Sequence, residues 1–429
     1  MRVWELEKER EGLLSLIIKC RIQNKIDVRR AVETIKEEIL KTGEDAVSRL
    51  SGVYDRWDRE YPLRIPMEEI ETHAARVSKK DISVLRGMIK NVELFHRNQG
   101  TRHRTYRRRG LSVEEGYIPI ERALVYVPGG KAAYPSSLIM GAIPARIAGV
   151  KHIYVTTPTP EGILNPYVAA ALMLLNITDV YRIGGAQAVY AFSYGIGTIP
   201  KVDMIVGPGN AFVEEAKRDV YGLVGIDMPA GPSELIVLCT KDVSPELVAR
   251  DLLSQAEHDE MATVGLFSDS RVFIQDVIKG IDRLLMSTNE RRDVIEKALK
   301  ANSFFVYFRD IEDALHIINT IAPEHMEFIG DEAYAEKILY PGIIYIGEMT
   351  PVAMGDYYIG TNHILPTGGA GRFTGGLSVD TFKRRRVKVK TDRDFLDRYG
   401  DKAIKLARIE GLFAHSESIK ARKGVNNET

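Results

Sequence analysis

The chain is 429 residues long, 45% hydrophobic and 28% charged, ordinary for a globular protein of two or three domains. Its 59 lysines and arginines balance 59 aspartates and glutamates, so no whole-molecule field draws it to nucleic acid. Two cysteines, Cys20 and Cys239, are too few for a disulfide scaffold, no apolar run is long enough to span a bilayer, and the charged opening MRVWELEKER is unlike a signal peptide; a reduced, cytoplasmic protein is expected.

Residues 1–100 read as helices, with apolar positions such as Val28, Ala31, Ile35, Ile39, Val47 and Leu50 at roughly helical spacing. The basic run Arg102–Arg109 is expected to be a solvated connecting segment rather than a nucleic-acid patch. From Arg122 the texture changes to strand, turn, helix. Strands are expected at 123–127, 152–156, 180–183 and 202–206. Each ends in a glycine or proline turn, among them Val127-Pro-Gly-Gly130, Ile183-Gly-Gly185 and Val206-Gly-Pro-Gly209. Helices are expected at 163–175 and 211–221. This alternation predicts a parallel, doubly wound sheet. Ligands of such sheets lie beyond the carboxyl ends of the strands, where backbone N–H groups of glycine turns can approach phosphates. None of the turns is G-x-G-x-x-G or a Walker loop.

A second α/β unit is expected over 235–380. It has strands near 235–239, 264–268, 304–308 and 342–346, and helices at 244–258, 272–285 and 289–302. Residues 354–376 show neither period and carry recurrent glycine, yet hold Asp356, Asn362 and His363. They read as a binding loop pinned by Met354, Tyr357, Ile359, Ile364, Leu365 and Phe373. The basic run 383–390 opens a tail that ends in a helix over 394–411.

Two constellations could carry chemistry. Gln255 and His258 are three apart and share a helix face. With Asp356 and His415 they offer two imidazoles, a carboxylate and an amide oxygen, which suits zinc or a similar divalent ion. Pro323-Glu324-His325 places a carboxylate beside an imidazole after a proline: an acid/base pair, or an exposed loop pair without a role. Neither cysteine reads as a nucleophile. Cys239 lies in an apolar strand, and Cys20 has no histidine near it in sequence.

Eight segments, in order, resemble the histidinol dehydrogenase family: Tyr126–Gly130, Gly184–Gln187, Gly207–Asn210, Ala230–Glu234, Leu253–His258, Ala322–His325, Gly355-Asp356 with Asn362–Pro366, and Glu410–His415. Two positions depart from the family's habit: Asp259-Glu260 stands where many members carry Gly-Pro, and Met326 where leucine is usual. The resemblance implies oxidation of L-histidinol to L-histidine through bound L-histidinaldehyde, with two NAD consumed. It implies zinc on Gln255, His258, Asp356 and His415, the last supplied by the partner subunit of a homodimer that exchanges C-terminal arms. Ser233, Glu410, His325 and the zinc ligands would form the substrate pocket. Tyr126, Gln187 and Asn210 would line the NAD site, and Glu324 and His325 would be catalytic.

The implied fold is two incomplete Rossmann-like parallel-sheet domains, with a helical N-terminal region and an extended C-terminal arm. In that division residues 1–120 pack with 235–380, 121–234 bind NAD, and 381–429 form the arm. The nearest alternative is a related zinc- and NAD-dependent dehydrogenase of another small alcohol, of the diol sulfonate type; Ser233 and Glu410 favour histidinol. A non-catalytic metal- or nucleotide-binding protein would leave Glu324 and His325 without a purpose.

Overall fold

A computed structural model describes residues 1–22, 25–58, 60–129, 134–228, 230–287 and 290–423. Its strands are β1 (Val3–Glu5), β2 (Arg104–Arg108), β3 (Leu111–Pro119), β4 (Arg122–Tyr126), β5 (His152–Thr156), β6 (Val180–Tyr181), β7 (Met204–Val206), β8 (Gly225–Ile226), β9 (Glu234–Cys239), β10 (Thr263–Ser268), β11 (Ser303–Tyr307), β12 (His325–Ile329), β13 (Ile343–Ile346) and β14 (Lys383–Thr391). The apolar runs between helices become two all-parallel sheets. One has the order β6-β5-β4-β7-β8, the other β1-β11-β10-β9-β12-β13. Counting from its own first strand after β1, each follows the 3-2-1-4-5 order of a doubly wound half, with the order reversing between β4 and β7 and between β9 and β12.

Central strands are apolar on both faces because helices cover both. All six residues of β9 and all six of β10 are buried. The α/β expectation therefore holds, with different edges. The sixth strand of the second sheet is the N-terminal β1, which pairs in parallel with β11 (Trp4 opposite Val306). Three residues are too short to show a period, so the sequence reads them as part of a helix.

The N-terminal helices divide between the two sheets instead of packing together with 235–380. Leu6–Ile22 lays Leu6, Leu13 and Ile17 on the second sheet, beside Ile236, Leu238 and Val306. Lys25–Thr42 and Glu44–Asp55 bury Val32, Ile35, Ile39, Val47 and Leu50 with Leu124, Val189 and Phe192 of the first sheet's layer. Met67–Ala74 and Lys79–Arg97 bury Ile70, Leu85 and Val92 with Ile143 and Val168. Apolar stripes say that a helix packs, not on what.

Met1–Gln99 and Ile120–Phe382 form one compact unit; Gly100–Pro119 joins the C-terminal segment from Lys383 in a second. In that second unit the basic run near 102–109 is a strand rather than a connector. β14, β3 and β2 make an antiparallel sheet, with Lys383 opposite Pro119 and Arg104 opposite Glu115. Helices Arg393–Ile409 and Phe413–Lys423 pack on each other in the same unit. Among the described residues no helix is long and apolar enough to cross a membrane.

Candidate functional site

The carboxyl edge of the first sheet collects the residues expected to meet a nucleotide. Tyr126 ends β4, Asn210 follows β7, and Gln187 lies in the first turn of the helix Gly185–Tyr194 that follows β6. The Asn210 side chain caps the helix Ala211–Val220, accepting from Phe212 N at 3.0 Å and Val213 N at 3.1 Å. The Tyr126 hydroxyl accepts from Gly185 N at 3.0 Å. Gly207 holds φ +115, and a Cβ there would meet the Tyr126 carbonyl at 2.1 Å, so only glycine lets β7 turn this close to β4. The helices Gly185–Tyr194 and Ala211–Val220 begin at this edge, and helix N-termini favour phosphate. Gly130, the end of the Tyr126–Gly130 motif, lies outside the described residues.

Asp55, which no sequence motif marks, reaches this edge from the helix Glu44–Asp55. Its buried carboxylate accepts from Gly184 N at 2.8 Å and Gln187 Nε2 at 3.1 Å. Burial pushes its pKa up to about 6 against those two bonds. Gln187 and Tyr126 are themselves buried, while Asn210 is exposed. Asp55 stands 129 residues from Gly184, a separation that leaves no local signal.

The second sheet gathers its chemistry at the opposite, amino edge. In a parallel sheet the carboxyl end of a covering helix lies near the amino end of the next strand. Gln255 and His258 close the helix Pro245–Ala256 ahead of β10, and Asp356 closes the short helix Val352–Tyr357 that returns after β13. Ser233 and Glu234 open β9; Glu324 and His325 open β12. Helix carboxyl ends carry partial negative charge and favour a cation there.

Glu324 and His325 are not an exposed turn pair. Both are buried, at 6% and 3% exposure, and β12 pairs on both sides, His325 opposite Leu235 and Ile343. Glu324 Oε2 accepts from Glu234 N at 3.0 Å, and its Oε1 lies 3.7 Å from His325 Nε2. Burial holds the Glu324 carboxyl well above the usual carboxylate range; the Glu234 N–H opposes this, and the Glu234 and Asp356 charges add to it. Burial, then His258 and His363, bring His325 down to about 3. Burial thus holds His325 as a neutral imidazole. Its ring stacks on Tyr345 (6.0 Å between centroids, 18° between planes), with Nδ1 3.5 Å from the Tyr345 hydroxyl.

Asp356 is buried, and that burial raises its pKa to about 7. It sits in a helix where the sequence reads an aperiodic loop. Of the residues expected to pin that stretch, only Ile364 and Leu365 are buried; Met354, Tyr357, Ile359 and Phe373 are exposed. His363 Nδ1 lies 3.1 Å from the Asp356 carbonyl and 3.9 Å from its Oδ1. Asn362 is structural, donating to Met140 O at 2.8 Å beside His96. His258 is solvent-exposed yet crowded by protein atoms, which lower its pKa, with Arg291 adding to the effect.

Gln255 carries the clearest sign of a missing partner. It is 1% exposed, and neither its Oε1 nor its Nε2 has a hydrogen-bond partner. Buried amides are nearly always paired, so an orphaned one close in sequence to His258 fits a metal ligand. Among the described residues no three histidine, cysteine or carboxylate side chains stand close enough to hold an ion. The first unit supplies one imidazole, one carboxylate and this amide from the expected set. Glu410 and His415 belong to the second unit: Glu410 caps the helix Arg393–Ile409, and His415 is exposed on Phe413–Lys423.

The family model described as histidinol dehydrogenase matches residues 19–423. A histidinol dehydrogenase of Nitrosomonas europaea is 41% identical over 401 residues, 92% of this chain and 93% of that protein. One of Gluconobacter oxydans is 40% identical over 410 residues, 95% of each. The crystal structure of histidinol dehydrogenase from Elizabethkingia anophelis superposes with a TM-score of 0.89 at 32% identity, covering 98% of this chain and 97% of that one. Two parallel sheets, a buried Glu324–His325 pair and an unpaired Gln255 thus sit in a chain that belongs to the histidinol dehydrogenase family.

Proposed function

We propose that the chain oxidises L-histidinol to L-histidine in two hydride-transfer steps, with Glu324 and His325 as its proton-transfer residues. The observation that carries this is the buried, neutral His325 held between Tyr345 and Glu324 at the amino edge of the second sheet. NAD, the second substrate, accepts a hydride in each step; Tyr126, Gln187 and Asn210 would line its site. Zinc on Gln255, His258, Asp356 and His415 of the partner subunit would orient the substrate through its imidazole and amino nitrogens. Ser233 and Glu410 would complete the pocket, so the working form would be a homodimer with exchanged C-terminal arms.

His325 takes the hydroxyl proton as the hydride leaves the carbinol carbon, giving the aldehyde. Glu324 then takes a proton from water as the oxygen adds to the aldehyde carbon, while His325 returns its proton to the carbonyl oxygen, giving the hydrated form and restoring the neutral imidazole. His325 removes a second hydroxyl proton as the second hydride leaves, giving the acid. Glu324 must be ionised to act as this base. Burial opposes that, and positive charge entering the site restores it. A fixed pocket keeps the aldehyde oriented between steps. No thiol takes part: Cys20 and Cys239 are buried, and burial raises both their pKa values.

The test is NADH formation from histidinol and NAD, with chelator and after readdition of zinc. Two NADH per histidinol, lost with chelator and restored by zinc, is the expected result. Turnover of a diol sulfonate but not of histidinol would move the assignment to the alternative.

A further inference from the structure

We propose that Arg21, on the N-terminal helix Leu6–Ile22, is a positioning residue that sets the Glu324 carboxylate through Glu234. The proposal rests on the reading of Glu324 as the base of the hydration step.

The Arg21 guanidinium forks onto Glu234, Nε to Oε1 at 2.8 Å and Nη2 to Oε2 at 3.0 Å. The same Nη2 donates to the Ile321 carbonyl at 2.9 Å. Ile321 ends the helix Ile311–Ile321; Ala322 follows with φ 47, then Pro323 and Glu324. The Glu234 backbone N–H is the donor to Glu324 Oε2, at 3.0 Å. Gly368 N also reaches Glu234 Oε2, at 3.3 Å. One side chain therefore ties the entry to β9, the entry to β12 and the 367–369 turn.

Arg21 and Glu234 are 213 residues apart and expose only 19% and 6% of their side chains. A pair this buried contributes little to stability that a well-packed apolar pair would not match. What it adds is geometry: the planar fork fixes direction, and lysine cannot reproduce it. Among the described residues the Glu234 N–H is the one backbone donor to the Glu324 carboxylate, with the Ser233 side chain beside it. Loosening the fork lets that N–H shift and takes a fixed partner from the ionised Glu324. Among the described residues the hydrogen bonds of Arg21 go to Glu234 and Ile321 and none reaches the His325 ring, so alcohol oxidation is expected to depend on the fork much less.

The experiment follows single-turnover NADH formation from histidinol, whose two phases report the two hydride steps, in wild type, Arg21→Lys, Arg21→Gln and Glu234→Asp. Glu234→Asp keeps the backbone N–H and the charge but withdraws the carboxylate from the fork, so it reads the proposal even if an Arg21 variant fails to fold. The second phase is expected to slow about tenfold or more, the scale of one charge-assisted hydrogen bond. The first phase should stay within about threefold. Arg21→Lys should resemble Arg21→Gln. Equal slowing of both phases, an unchanged second phase, or full rescue by lysine overturns the proposal. Absence of NADH from wild type with histidinol overturns the parent reading instead.

Discussion

Gln255→Leu separates the metal reading from ordinary core packing, because the two readings predict opposite signs. The amide is 1% exposed with both polar atoms unpaired. Leaving an amide buried and unsatisfied costs about 1–3 kcal/mol on the mutational scale. Leucine has similar bulk and removes that cost, so the metal-free variant should be more stable than wild type by about 1–3 kcal/mol. Zinc reverses the order. A ligand at a hundred times its Kd stabilises the folded state by about 2.7 kcal/mol, and the variant, one donor short, should gain much less. Urea denaturation followed by circular dichroism, in chelator and then in excess zinc, measures both arms on the same protein. The expected signature is a crossing of the two stabilities. A variant less stable than wild type in chelator, or one that gains as much from zinc, refutes the argument.

His325→Ala should reduce both NADH phases by at least about a hundredfold, the scale of general-base catalysis; an unchanged first phase removes His325 from that role. Glu324→Gln should slow the second phase more than the first, and equal slowing in stopped flow counts against Glu324 as the water-activating base. Gly207→Ala places a Cβ 2.1 Å from the Tyr126 carbonyl at a φ of +115. It should destabilise by roughly 2 kcal/mol and raise the NAD KM more than the histidinol KM; a proportionate rise in both disconnects this turn from the nucleotide.

Glu327 is buried and Asp251 half-buried, their carboxyls are in mutual contact, and desolvation raises both pKa values. A carboxyl whose folded pKa lies above its unfolded one binds more proton in the folded state. The pair's contribution is therefore fully present below the unfolded carboxyl range, is lost as pH rises from there through the folded values of about 6 and about 8, by roughly 1.4 kcal/mol per pH unit per proton, and levels off above them. Glu327→Gln keeps an acceptor for Val352 N, which now donates to Glu327 Oε1 at 2.6 Å, and adds a donor toward Asp251. Its urea midpoint should decline less between mildly acidic and mildly alkaline pH; a slope equal to wild type disproves proton binding by this pair in the folded state.

Much of the architecture was legible because it is local. Short apolar, β-branched runs followed by glycine turns and amphipathic helices specify a parallel sheet wherever they repeat, and β4, β5, β9, β10 and β11 lie within a residue or so of their expected places. Gln255 and His258 share a helix end because three residues make nearly one turn. Other features depended on which surfaces met. β1 is too short to announce itself, and an amphipathic stripe names no partner, so the division of the N-terminal helices between two sheets came only with the fold. The turn-like Pro323-Glu324-His325 became a buried strand entry because β9 and β13 flank it. The second sheet's chemistry lies at its amino edge because helix ends, not strand ends, deliver Gln255, His258 and Asp356. Arg21 and Asp55 reach their carboxylate and amide partners across more than a hundred residues. The chain's own pattern of residues determined which elements form, because that pattern acts through near neighbours. Tertiary packing alone decided which distant groups lose water together, and desolvation sets the protonation of Glu324 and His325.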